Sequence, residues 1–242
     1  MTSSLPPGLR LGYVPGATPA KWARIWGERH PDVRLDLVPL PAADAPDAVR
    51  DGTVDLALLR LPAETSGLAT IALYEEQVVA VVPKEHHAAA ADELAAADLD
   101  GEPTLLPHDE ALHWDGAPGA PVEHRPETTE AAIELVAAGL GVLLVPQSLA
   151  RLHHRKDLTY RPVIDAPPSP VVLAVLAGEQ PEAVAEFIGV VRGRKAGSSR
   201  GRAEPAPKRT AREKTLAKQA ARAAAGKKAA TPKAKPGKRP RR

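Results

Sequence analysis

Hydrophobic positions along the chain switch repeatedly between a period of two and a period near 3.6, and the switches predict alternating strands and helices. "LRLGYV" (residues 9–14) is a short β-rich run closed by the turn dipeptide Pro15-Gly16. "TPAKWARIWGERHP" follows, with Thr18 placed as an N-cap, Pro19 at the first helical position and Pro31 as the stop. Trp22, Ile25 and Trp26 fall on one helical face. In "VRLDLVPL", Val33, Leu35 and Leu37 alternate with Arg34 and Asp36, which reads as a strand. A short helical "APDAVRDG" leads to the strand "VDLALLRL". This β-α-β-α-β succession predicts a parallel sheet with crossover helices.

The second half continues in the same style. "QVVAVVP" (residues 77–83) is apolar without alternation, the mark of a strand buried on both faces. "ADELAAADLDG" reads as a helix or a pair of turns, "PTLLP" as a short strand, and residues 108–126 as loop with some short structure. "DLTYRPVI" and "SPVVLAVL" are late strands. "PEAVAEFIGVVRGR" is a last helix with Ala183, Phe187, Val190 and Val191 inward.

The most apolar run, "LVAAGLGVLLVPQSLARL" (residues 135–152), holds two glycines. It is too short before Pro146 to span a membrane, which takes ~20 apolar residues. Nor does it suit a nucleotide loop, where glycines precede a helix and its N-terminus faces the phosphate. Here the helical spacing of Ala132, Ile133, Val136, Ala137 and Leu140 comes first and the strand "VLLV" follows. Gly139 and Gly141 are therefore expected to end a helix and turn into a buried strand.

Charge divides the chain. Of 32 basic and 30 acidic residues, 18 and 2 lie from Gly193 onward, a net of +16, which leaves −14 for residues 1–192. The basic segment is rich in Lys, Arg, Ala and Pro and carries one large aliphatic residue, Leu216, so a disordered tail is expected. Such a tail can bind DNA or RNA non-specifically by counterion release. The candidate contacts are Lys208, Arg209, Arg212, Lys214, Lys218, Arg222, Lys227, Lys228, Lys233, Lys235, Lys238 and Arg239. With no aromatic residue there, base stacking is not expected.

Cysteine is absent, which removes disulfides, thiolate metal sites and a cysteine nucleophile. The N-terminus lacks the pattern of a secretory signal, so a cytoplasmic protein without membrane contact is the expectation. No metal or cofactor site is expected. His108 and His113 are five apart, ~140° around a helix, and the pairs His86-His87 and His153-His154 read as solvated loop residues. Glu75 and Glu76 are expected in solvent beside the buried strand. No G-x-S-x-G or P-loop occurs, so the chain is not read as an enzyme.

Four motifs together resemble the effector-binding (substrate-binding) domain of LysR-type transcriptional regulators. "LRLGYVPG" is similar to its first strand and ligand loop, and "VRLDLVPL…APDAVRDGTVDLALLR" to its second strand, helix and third strand. "ETTEAAIELVAAGLGVLLVPQSLARL" resembles its helix, glycine turn and following strand, and "AVAEFIGVVR" its closing helix. The resemblance implies an α/β, type-2 periplasmic-binding-protein-like fold, two α/β lobes with a ligand cleft between them. Residues 1–8 would be a leader and residues 9–192 the domain. Lobe one would take residues 9–80 and 158–192, lobe two residues 81–157, and the basic tail residues 193–242. The winged helix-turn-helix that regulators of this kind carry ahead of the domain is expected to be missing. A hydroxyl-bearing loop is replaced by Ala42, Ala43 and Asp44, with Asp44 unfavourable to an anion.

Carried over by position, the ligand would meet Pro15, Gly16, Ala17 and Thr18, then Arg60 and Leu61, then Pro107, His108, Thr128 and Thr129. A helix N-terminus and Arg60 would both suit a carboxylate. The simpler reading makes Thr18 and Thr128 plain N-caps and Arg60 a surface residue paired with Glu64. The expected function is sensing of a small carboxylate-bearing metabolite, with transcription regulated through the tail, a homodimer or full-length LysR-type partners. The alternatives are a prephenate-dehydratase-like lyase on the same fold, whose "T-R-F" motif "ETTEAA" does not match, and a nucleoid-associated basic-tail protein.

Overall fold

The structure, a computed structural model, describes residues 8–194. The leader (residues 1–7) and the tail from residue 195, with all twelve candidate nucleic-acid contacts, lie outside the described residues.

Five strands make the first sheet: β1 (Gly8–Tyr13), β2 (Arg34–Pro39), β3 (Leu56–Arg60), β4 (Leu68–Glu76) and, far along the chain, β10 (Ser169–Leu176). Their order is β2-β1-β3-β10-β4. β1 pairs in parallel with β2 and β3, as the β-α-β-α-β pattern predicts, and β10 runs antiparallel between β3 and β4. Position in the sheet explains the sequence character of each strand. Central β3 is buried at all five positions and β10 at six of eight, whereas edge strands β2 and β4 have no fully buried residue. Helices α1 (Ala20–Arg29), α2 (Ala45–Arg50) and α5 (Glu182–Val191) complete this lobe. Trp26 and Phe187 meet with ring centroids 5.6 Å apart, and the Trp26 indole N–H donates to the Val33 carbonyl at 2.9 Å. Thr18 does not cap α1: the helix opens after Pro19 with no side-chain cap.

The second sheet has the order β8-β5-β9, all antiparallel, from β5 (Val78–Pro83), β8 (Leu143–Pro146) and β9 (Leu158–Pro162). In between come two 3₁₀ turns (His87–Ala90 and Ala96–Leu99) and the two-residue strands β6 (Pro103–Thr104) and β7 (Ala120–Pro121). β5 serves two cores at once. Val79 and Val81 join Ile133, Val136 and Leu143 on one face, while Val78, Ala80 and Val82 join Leu94, Leu99 and Leu144 on the other. That double burial is why the strand reads as a continuous apolar run.

The lobe limits differ from the expected ones, because β5 begins at Val78 and β9 pairs with it rather than with the first sheet. Residues 78–163 therefore form the second lobe. The chain crosses between lobes twice, at Gln77 and at residues 164–168.

Helix α3 (Thr129–Ala137) starts as expected, with the Thr128 hydroxyl accepting from the Ala131 N–H at 3.1 Å. It ends in a Schellman motif: the Leu140 N–H donates to the Leu135 carbonyl and the Gly139 N–H to that of Val136, with Gly139 at φ +77°. Gly141 lets the chain pass against the Pro103 carbonyl, where a Cβ would collide. A further short helix, α4 (Gln147–Leu152), follows β8 directly.

Candidate ligand-binding site

Both lobes wall an open cleft of about 2050 Å³. Its first wall is the loop after β1, which runs into the N-terminus of α1, and the ends of β3 and β4 contribute its floor. Opposite stand the loop of residues 108–111, the N-terminus of α3 and the start of α4.

Of the residues selected from sequence, Pro15, Gly16, Ala17, Thr18, Arg60, His108, Thr128 and Thr129 all line this one space. Two do not. Leu61 borders a separate cavity of about 380 Å³ with Leu112 and Pro170. Pro107 is buried behind the wall, its carbonyl accepting from the Arg125 guanidinium at 3.1 Å. Ala42 and Ala43 line the cleft, but Asp44, the N-cap residue of α2, does not.

Arg60 is not a surface residue, and its partner is not Glu64, which lies by Arg50 instead. It is buried and paired with Glu76 at 3.4 Å, their side chains 4% and 10% exposed. The Arg60 guanidinium also donates to Ser169 Oγ at 3.0 Å and Ser148 Oγ at 3.2 Å. Ser148 in turn donates to Glu76 through its hydroxyl at 2.5 Å and its N–H at 3.3 Å. Glu76 is thus internal, contrary to the expectation for the Glu75-Glu76 pair, while Glu75 is exposed. Because Ser148 starts α4 of lobe two, this network ties the lobes together at the cleft floor.

The same place has a second interlobe contact. Gly16 stands at φ +81°, and a Cβ there would collide with Ser148 Oγ and press on Leu149. Nearby, burial pushes the Tyr74 hydroxyl above its ordinary titration range, and the Glu76 carboxylate adds to the effect.

With Arg60 neutralised, the unpaired positive charge lies elsewhere. Among the described residues that line the cleft, Lys21 in the first turn of α1 and Arg151 in α4 have no carboxylate partner, although the Arg151 Nε–H bonds the Tyr160 hydroxyl at 3.2 Å. Sequence reasoning missed both. The signal for Lys21 was its place two residues after Pro19, where a helix begins; α4 itself went unrecognised.

Away from the cleft, His86 is not a free loop residue: its Nε2 meets Glu102 Oε2 at 3.2 Å and its Nδ1 accepts from the Ala88 N–H at 3.2 Å.

Comparison with known proteins agrees with this architecture. A model of the LysR substrate binding domain family matches residues 8–196. The chain belongs to this family. Members are effector-binding domains of regulators that bind small molecules and act as oligomers, not enzymes. Among curated relatives, a "Probable hydrogen peroxide-inducible genes activator" of Mycobacterium avium is 32% identical over 159 residues, covering 61% of this chain and 51% of the relative. The "Hca operon transcriptional activator HcaR" of Escherichia coli (strain K12) is 29% identical over 201 residues, covering 77% and 67%. This LysR-family chain thus spans about half the length of the first relative and two thirds of the second. Its fold is that of the BenM effector binding domain with its effector benzoate (TM-score 0.66, 21% identity, 81% of this chain and 98% of that one). The oxidised form of OxyR gives a TM-score of 0.64 at 20% identity, over 78% of this chain and 96% of that one. Among the described residues no helix is long and apolar enough to cross a membrane.

Proposed function

We propose that this LysR-family domain senses a small carboxylate-bearing metabolite in the cleft between its lobes. One observation carries the reading: the N-termini of α1 and α3, one from each lobe, open into the same cleft, with Lys21 unpaired beside the first. A helix N-terminus offers free N–H groups and the positive end of its dipole, which favours an anion. The ligand would lie among Pro15, Gly16, Ala17 and Thr18 on one side and His108, Thr128 and Thr129 on the other. Arg60, compensated by Glu76, shapes the floor. At about 2050 Å³ the cleft exceeds the ~300–1000 Å³ of a typical ligand pocket, which suits lobes that close on their ligand. A ligand held by both lobes favours the closed state by its differential affinity.

The test is thermal unfolding of the chain against a panel of organic acids, benzoate included because the BenM domain takes it as effector. An acid at a hundredfold excess over its Kd stabilises by ~2.7 kcal/mol. Benzamide, which lacks the charge, should give a far smaller shift, and Lys21→Gln should weaken the acid. A panel in which no acid moves the transition would overturn the reading. A thiol-based response has no residue to use here, since this chain contains no cysteine.

We further propose that the domain regulates transcription in the cytoplasm, as a homodimer or together with full-length LysR-type regulators. The basic segment from Gly193 supports non-specific contact with DNA or RNA, through the twelve Lys and Arg positions named above. If 6–10 of its charges meet phosphates, affinity falls by about 10³–10⁵ between 50 and 200 mM salt. A gel shift with and without residues 195–242 decides this: undiminished binding by the shortened chain would refute a role for the tail.

A further inference from the structure

We propose that His86, His87 and Glu102, on the second lobe and outside the cleft, form a binding site for one Zn²⁺ ion. The three residues each offer a ligand atom, and these atoms lie within 4.8 Å of one another. His86 Nε2 is 3.2 Å from Glu102 Oε2, and His87 Nε2 is 3.7 Å from Glu102 Oε1. A tetrahedral ion with bonds of about 2.0–2.2 Å needs donors ~3.3 Å apart; the His86–Glu102 separation is already close to that edge, and the donor atoms of all three residues lie within 4.8 Å of one another. Two imidazoles and one carboxylate suit Zn²⁺, with water at the fourth position.

Separate pieces of backbone hold the donors ready. His86 and His87 sit at the 3₁₀ turn after β5. The His86 N–H donates to the Pro83 carbonyl at 3.0 Å, and its carbonyl accepts from the Ala89 N–H at 2.9 Å. Arg161 of β9 clamps the same turn by donating to the carbonyls of Ala89 and Ala91. Across from it, the Glu102 N–H donates to the Leu99 carbonyl at 3.1 Å and its carbonyl accepts from Ala120 at 2.7 Å. Only the side chains have to adjust.

The proton count fixes what changes on binding. In the metal-free protein His86 Nδ1 accepts from Ala88, so Nε2 bears the ring proton and donates it to Glu102. Zn²⁺ replaces that proton at Nε2. The neutral ring then carries its proton on Nδ1, and the 3.2 Å bond from Ala88 is given up. His86 thus exchanges two hydrogen bonds of 3.2 Å, to Glu102 and from Ala88, for a metal bond, while the His87 side chain is 67% exposed.

The test is calorimetric titration of the full chain with Zn²⁺, alongside His87→Ala and Glu102→Gln. These two variants are informative because neither removes the Nδ1 bond that caps the turn, and circular dichroism confirms that each is folded. The expected result is saturable binding with a melting point raised by several degrees, weakened at least tenfold in each variant and unchanged in His153→Ala/His154→Ala. Absence of saturable binding, or equal affinity in the wild type and both variants, would overturn the proposal.

Discussion

Arg60 and Glu76 form their 3.4 Å ion pair across a strand that separates them: β3 and β4 are not neighbours, and β10 lies between. Ser169 of that intervening strand accepts from the same guanidinium. Both charges are almost fully withdrawn from water, so each depends on the other for compensation. Removing one partner of such a pair costs about 3–5 kcal/mol, whereas replacing both by apolar groups is often neutral. Arg60→Met is therefore expected to destabilise by about 3 kcal/mol or more, and Arg60→Met/Glu76→Met to recover most of the loss. Urea denaturation of the four proteins in the cycle measures this; a single variant costing under about 1 kcal/mol would contradict it.

Gly16 has both a left-handed backbone and Ser148 at its Cβ position. Gly16→Ala is expected to cost about 2 kcal/mol or more, from the conformation and from contact between lobes. Ser148→Gly alone loses the Ser148 hydroxyl's hydrogen bonds with Arg60 and Glu76, so the comparison is a cycle: Gly16→Ala should cost less in the Ser148→Gly background, by the steric share. An equal cost of Gly16→Ala in both backgrounds would show that Ser148 is not what Gly16 accommodates.

Thr128 caps α3 with one hydrogen bond to Ala131. Thr128→Ala should cost ~1 kcal/mol and Thr128→Ser much less, read from urea midpoints. Because the cap lies in the cleft wall, the alanine variant also tests whether the α3 N-terminus must be ordered for an acid to bind.

Exposed carboxylates held low contribute to an acid limit, Asp51 and Asp157 among them. The Thr53 N–H donates to Asp51 at 2.8 Å, and Arg155 donates to Asp157 at 3.0 Å, and both carboxyls are held below their ordinary 3.8. A carboxyl whose value is lower in the folded state stabilises the fold when ionised. That contribution is complete above about pH 4 and disappears as the pH falls through the lowered values. Both groups are exposed, so the effect is modest and fades with salt. Urea midpoints should fall below about pH 4, with a shallower fall in Asp51→Asn/Asp157→Asn.

Local pattern made most of the first lobe legible. β1, α1, β2, α2 and β3 each announce themselves through spacing and turn residues within a dozen positions. β4 did not, for a specific reason: a register shift opposite Val171 and Val172 leaves Leu73 without a partner. Alternation is broken there, and an edge strand has little burial to enforce it. α4 was hidden because Pro146 ends a strand and Gln147 opens a helix with no intervening turn. Glu76 looked solvated because what buries it, Arg60 and Ser148, lies 16 and 72 residues away. The loop and helix starts that line the cleft, Pro15 to Thr18 and Thr128-Thr129, were named by position from the family resemblance, and the structure brings them to one space. Its unpaired cations were not, since whether a lysine or arginine has a partner is a property of the folded chain. β5 and β9 were strands from their pattern alone, but pattern does not say which sheet a strand joins.

The central place of β10 imposes an order on synthesis. β3 and β4 leave the ribosome within a few residues of each other, yet the strand that must fill the gap between them is made about a hundred residues later. Until residue 176 emerges, the first sheet has two unfilled edges and its ion pair has no Ser169. The second lobe, by contrast, is continuous in sequence and can close as soon as β9 is complete. The lobe encoded second is therefore the one able to fold first, and the first lobe's early strands remain exposed to mispairing in the meantime.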